Sequence, residues 1–149
     1  MENMILVCGA LLGFFSVAFG AYSEHTLREN VTDEILRSLM TAIRYNQINS
    51  VIISAIGIAI AIGGKLPLRN LGEMRTFRLS GYLFILGTLL FSFSIYLSVI
   101  MNLPNLVYLT PFGGITMMIA WLTLVASGLL ALKKTTGSGK SIEAQHLRS

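Results

Sequence analysis

The chain has 149 residues, 54% of them hydrophobic and only 12% charged, with a formal net charge of +4. A soluble domain carries roughly 25% charged side chains, so this composition excludes a fold whose whole surface faces water. The basic residues flank apolar runs instead of lining a separate groove, which argues against nucleic acid as a partner, and the single cysteine, Cys8, supports neither a disulfide framework nor a thiol pair for metal.

Residues 4–22 are apolar and uncharged, close to the roughly 20 residues that carry a helix across about 30 Å of hydrocarbon. Nothing basic precedes the run, so it reads as a retained span and not as a signal peptide. Gly9, Gly13, Ser16 and Gly20 recur at three- and four-residue spacing and lie along one helical face, which lets a second helix approach closely.

Charge is concentrated between residues 23 and 45. Thr32 followed by Asp33 and Glu34 is a helix start, a side-chain cap with negative charge at the positive end of the dipole. Ile35, Leu36, Leu39, Met40 and Ile43 then form one apolar stripe. This predicts an amphipathic interfacial helix that leads into the second span near Tyr45.

The second span is expected over residues 46–64, with Gly57 and Ala61 repeating the small-residue pattern. Lys65 to Arg78 reads as a basic loop. The third span is expected over 79–101, ended by the turn Asn102-Leu103-Pro104-Asn105, and the fourth over 111–132, with Pro111 in its first turn where proline is tolerated. Gly113 and Gly114 near its start are expected to allow tight helix packing. Residues 133–149, small and polar, read as a mobile tail. Gly9 to Val17 and Gly87 to Ile95 share Gly, Leu, Leu, Phe and Ser in register, consistent with an ancient duplication of a two-helix unit.

With four spans, the eleven basic residues divide unevenly: Lys65, Arg69, Arg75, Arg78, Lys133, Lys134, Lys140 and Arg148 fall on one side, and Arg28, Arg37 and Arg44 on the other. The positive-inside rule therefore places both termini in the cytoplasm, as expected for a multi-pass protein of a bacterial inner membrane. The fold class implied is all-α, an integral membrane four-helix bundle.

The most unusual feature is the polar set at the start of the second span: Tyr45, Asn46, Gln47, Asn49 and Ser50. Amides at that depth are costly without hydrogen-bond partners. One reading is a polar pocket formed with Glu24, His25 and Arg44, and with Ser92, Ser94 and Tyr96 of the third span, holding a headgroup, an ion or a small solute. The other is plain interhelical hydrogen bonding to Ser92, Ser94, Tyr96 or Ser98.

Little else suggests chemistry. His25 and His146 fall on opposite sides of the membrane in this topology, and no carboxylate lies inside a span, so no metal site, catalytic dyad, charged proton relay or cofactor is implied. The expectation is a non-enzymatic protein acting as a lipid-interacting or accessory subunit of a membrane complex, with a small-solute or ion carrier as the alternative. Its expected partners are membrane lipids, with anionic headgroups drawn to the basic cytoplasmic loop and Lys133-Lys134. A membrane protein partner or a second copy of the chain is the other expectation.

Four ordered segments carry a family resemblance: Gly20-Ala21-Tyr22-Ser23-Glu24-His25-Thr26-Leu27, Thr41-Ala42-Ile43-Arg44-Tyr45, Phe91-Ser92-Phe93-Ser94-Ile95-Tyr96-Leu97, and Thr110-Pro111-Phe112-Gly113-Gly114 with Trp121. Over about residues 5–132 the chain resembles a family of small membrane proteins of unknown function that includes the bacterial YgdD- and YwdK-like proteins and the eukaryotic transmembrane protein 256. The resemblance implies a four-span helical membrane protein and no assigned activity. The chain departs from the family in having Ser23-Glu24-His25 in place of Gly-Ala-His, Asn49 in place of a histidine, and Phe93 and Ala120 in place of glycines. Asn49 in place of the second histidine argues against any role built on a histidine pair, and the larger residues at Phe93 and Ala120 imply altered helix packing.

Overall fold

A computed structural model describes residues 3–63 and 71–146, leaving the side chains of 71–73 and 133–146 outside the description. The elements are helix α1 (Met4–Tyr22), a π-helical turn (Ser23–Leu27), α2 (Asp33–Gly63), α3 (Leu71–Thr88), a second π-helical turn (Leu89–Phe93), α4 (Ser94–Ile100), a 3₁₀ turn (Pro104–Leu109) and α5 (Thr110–His146). The first π turn prolongs α1, the second joins α3 to α4, and the 3₁₀ turn leads into α5. Four membrane-length apolar helices result: Met4–Leu27, Asp33–Gly63, Met74–Ile100 and Pro104–Leu132. They span 24, 31, 27 and 29 residues.

In the second of these the amphipathic segment and the span it leads into are one helix. Thr32 accepts the Ile35 N–H at 3.4 Å, as a cap should, but the helix it opens runs unbroken to Gly63. No glycine or proline interrupts the chain between Asp33 and Ile56, and the apolar stripe has protein to pack on. Leu39, Ala42 and Ile43 are buried with Ile95 and Tyr96, and Phe19 and Leu27 pack against them. At 1.5 Å per residue, 31 residues reach about 46 Å, well beyond the roughly 30 Å of hydrocarbon.

Two other boundaries move. α3 begins at Leu71, so Arg75 and Arg78 stand on its first turns and not in a loop; Lys65 and Arg69 lie outside the described residues. The expected tail from residue 133 is helical as far as His146. A nucleated helix adds residues singly, and no proline follows Pro111 to stop it. The turn at 102–105 is as expected: Asn102 adopts φ 51°, and the Leu103 N–H bonds the Ser98 carbonyl at 2.9 Å in a left-handed C-terminal cap.

α1 packs along α2, and α3 along α5, giving two antiparallel hairpins. α2 then faces α3, α4 and the turn between them, while α1 and α5 do not form a packed pair. The outer helices consequently show the bilayer long apolar faces, including Phe14 and Val17 on α1 and Phe112, Leu122 and Leu132 on α5.

Glycine closes both hairpins. A Cβ on Gly9 would meet the Ser54 backbone nitrogen at 2.7 Å, and one on Gly57 would meet the Leu6 backbone nitrogen at 2.6 Å. Gly13 and Gly20 face Ser50 and Ile43 farther along the seam, and Ser16 is buried beside them. Gly87 faces Met117, and Gly113 abuts the Phe91 backbone. Gly114 has open space around it and takes no part in packing, which corrects that expectation. Phe93 and Ala120, the two enlarged positions, fill the interior. Phe93 packs edge-on against Phe15 at 5.6 Å between ring centroids, and Ala120 is fully buried beside the central cluster.

Candidate functional site

The polar set divides by burial. Asn46, Ser92 and Tyr96 are 0% exposed and Asn49 2%. A polar group sealed at membrane depth needs a partner, and the neighbouring helices supply most of them. Asn49 Nδ2 donates to Thr88 Oγ1 at 3.0 Å and to Met117 Sδ at 2.8 Å, joining α2, α3 and α5 at one point. Thr88 passes its own hydroxyl hydrogen to the Phe84 carbonyl at 2.7 Å.

A turn away, Asn46 Nδ2 meets the Tyr96 hydroxyl at 3.4 Å, and the Tyr96 ring stacks on Phe19 with centroids 4.0 Å apart. Ser92 donates to the Ala42 carbonyl of α2 at 2.9 Å. Ser94 lies 3.0 Å from the Thr110 hydroxyl and also donates to Phe91 O at 2.9 Å. Ser92 lies within the π turn at Leu89–Phe93 and Ser94 follows it; two residues apart, they fall on opposite sides of the helix, so Ser92 faces α2 while Ser94 faces the start of α5. Ser50 and Ser98 bond carbonyls of their own helices, at 2.8 Å each. Among the described residues, two buried polar atoms have no partner, Asn46 Oδ1 and Ser23 Oγ.

Four expected pocket residues stay outside this interior: Glu24, His25, Arg44 and Tyr45 are all exposed. Glu24 pairs with Arg28 at 2.6 Å. Tyr45 turns its ring edge toward Phe91 at 5.0 Å. The ten residues of the pocket reading, Glu24, His25, Arg44, Tyr45, Asn46, Asn49, Ser50, Ser92, Ser94 and Tyr96, therefore divide between a buried interior network and an exposed polar end. Thr88 and Met117 escaped the sequence reading. Their only signal was a hydroxyl and a thioether within apolar runs, and their role depends on helix register that spacing within one span does not encode.

Among the described residues, no group of three or more His, Cys, Asp or Glu side chains could hold a metal ion. The opening of note is apolar: a groove of about 360 Å³ facing the bilayer, lined by Phe14, Phe15, Ala18, Phe19, Tyr22 and Ile100.

Residues 19–114 match the model of a family described as protein of unknown function, DUF423. A UPF0382 membrane protein of Haemophilus influenzae is 30% identical over 83% of this chain and 92% of its own length. UPF0382 membrane protein YwdK of Bacillus subtilis is 25% identical over 85% and 97%. UPF0382 inner membrane protein YgdD of Escherichia coli is 28% identical over 89% and 94%. No solved structure matches. None of these relatives carries an enzymatic name, and their membrane names agree with four membrane-length helices in making this a multi-pass inner membrane protein. The matched segment contains the second and third spans and the polar network between them, and on that match the chain belongs to the DUF423 family of proteins of unknown function.

Proposed function

We propose that this protein is a non-enzymatic, lipid-interacting subunit of the inner membrane, which works by holding lipid against its bilayer face. The observation that carries this reading is the contrast between interior and surface. The amides and hydroxyls that could serve transport or catalysis are 0–2% exposed at Asn46, Asn49, Ser92 and Tyr96 and are engaged between helices. What stands open is an aromatic groove of lipid-chain character between α1 and α4. Apolar pockets with few polar groups suit acyl chains, since each buried CH₂ contributes roughly 0.8 kcal/mol.

Arg75, exposed near the start of α3, adds support at the opposite end. It belongs to the basic segment that would attract anionic headgroups at about 1 kcal/mol per cation. On the positive-inside argument that end is cytoplasmic.

The test is reconstitution. Purified full-length protein in nanodiscs should retain phospholipid through delipidating washes, read by native mass spectrometry, and Ala18→Phe should lower retention by filling the groove. Proteoliposomes should pass ions and small solutes no faster than protein-free vesicles. Steady flux abolished by Asn49→Leu would replace this reading with the carrier.

A further inference from the structure

The exposed side of α2 carries arginine within a membrane-length helix. Arg37 and Arg44 are both exposed and two helical turns apart, hence on one face, with Thr41 between them. Below them the same face continues as Ile48 and Val51, at 48% and 69% exposure. Helix register fixes the depth of Arg44. Gly20 of α1 faces Ile43, so Arg44 stands level with Phe19, inside the apolar stretch of α1 that continues to Tyr22. The Asn49 crossing with Thr88 and Met117 lies five residues deeper, about 7.5 Å along the axis.

Neither arginine has a hydrogen-bond or ion-pair partner among the described residues. Thr41 donates to the Arg37 carbonyl at 2.9 Å and so binds backbone and not the guanidinium. The carboxylate of Glu24 is already paired with Arg28, and Asp33 and Glu34, one turn before Arg37 on α2, form no ion pair with it. A lipid-exposed guanidinium at this depth is costly, and the cost falls when it reaches the interface, where lipid phosphate is the anion at hand. Side chains on a helix tilt toward its N-terminus, and α2 enters the membrane from its N-terminal end. Arg44 therefore reaches back toward the headgroup layer, where Arg37 already stands.

We infer that Arg37 and Arg44 clamp the phosphate of a phospholipid in the leaflet at the end of the bundle carrying the 28–32 and 101–103 turns. The anion there is phospholipid phosphate, and the planar fork of arginine matches phosphate oxygens in pairs. Tyr45, exposed beside Arg44 and braced on Phe91, supplies an interfacial aromatic. This site rests on the lipid-interacting reading and deepens it, but it is separate from the groove, whose lining comes from α1 and α4.

The test uses the full chain in nanodiscs of phosphatidylcholine with phosphatidylglycerol, scoring retained phosphatidylglycerol by native mass spectrometry. Arg37→Gln with Arg44→Gln removes two charge-assisted contacts and should weaken retention about a hundredfold. Arg44→Lys, which keeps charge but loses the fork, should fall between, and Arg28→Gln, which removes an arginine already paired with Glu24, should leave retention unchanged. Unaltered helicity and elution volume would establish that the variants fold. Retention unchanged in the double variant, or lost equally in Arg28→Gln, would overturn the site. So would a disulfide-linked dimer formed through Gln47→Cys in a Cys8→Ser background, since a second copy would then cover the strip. If the double variant keeps its lipid while Ala18→Phe loses it, this site fails and the lipid-interacting reading stands; if the wild-type protein retains no lipid, both fail.

Discussion

The two hairpins solve one packing problem by different means. Along α1 and α2 the seam is closed by Gly9, Gly13, Gly20 and Gly57 against Ser54, Ser50, Ile43 and Leu6, with no hydrogen bond from α1 to α2 among the described residues. Along α3 and α5, Gly87 and Gly113 bring the backbones together, and the Ser94–Thr110 contact at 3.0 Å adds a polar fastening. Residues at matching positions in the first and third spans do matching work. Gly9 and Gly87 admit the partner helix, Ser16 and Ser94 bond their own i−3 carbonyls at 2.7 and 2.9 Å, and Phe15 and Phe93 meet each other edge-on. In lipid, where apolar burial gives helices no net attraction for one another, close contact is the common requirement and hydrogen bonds are an addition. The strongest polar node, Asn49 with Thr88 and Met117, lies where the two hairpins join.

That comparison can be broken most forcefully at the glycines. Gly57→Ala and Gly113→Ala each place a methyl group against backbone that cannot yield, and each should destabilise the bundle by about 3 kcal/mol in a steric-trapping measurement. Tolerance of either change would mean that its hairpin is not closed by backbone contact. Next comes the joint. Asn49→Leu removes the amide bridging three helices and should cost about 1 kcal/mol, with measurable coupling to Thr88→Val in a double-mutant cycle. Smaller again is the second hairpin's fastening, where Ser94→Ala and Thr110→Ala should couple by about 0.6 kcal/mol; a coupling of zero would make the two seams equivalent in kind. Least of all is Gly114→Ala, which enters open space and should shift stability by no more than about 0.5 kcal/mol, toward greater stability, since alanine stiffens the unfolded chain and favours helix.

The spans themselves were legible because hydrocarbon thickness dictates a run of apolar residues that few other structures need. The face of α1 was equally legible, since Gly9, Gly13, Ser16 and Gly20 fall in phase on a straight helix. Legibility failed where geometry between helices decides. The stripe from Ile35 to Ile43 has the same pattern whether it floats at an interface or packs on Tyr96. Only the extension of α1 through Leu27 and of α4 to Ile100 supplies the packing surface. The π turns leave no periodic trace, and neither does the choice of partners by which Ser92 meets Ala42 of α2 and Ser94 meets Thr110 at the start of α5. The polar set was correctly singled out as unusual, but residues adjacent in sequence, such as Tyr45 and Asn46, point to opposite environments, one toward the bilayer and one inward.

The central claim, that the interior polar network is dry fastening and not a pathway, is tested most directly by thiol accessibility. Ser92→Cys in a Cys8→Ser background changes one buried atom, and His25→Cys in the same background marks the exposed end of α1. In sealed proteoliposomes treated on both sides with a charged, water-soluble thiosulfonate, the cysteine at 25 should label and that at 92 should not. Labelling at position 92 would mean that water reaches the centre of the bundle, and would contradict the account.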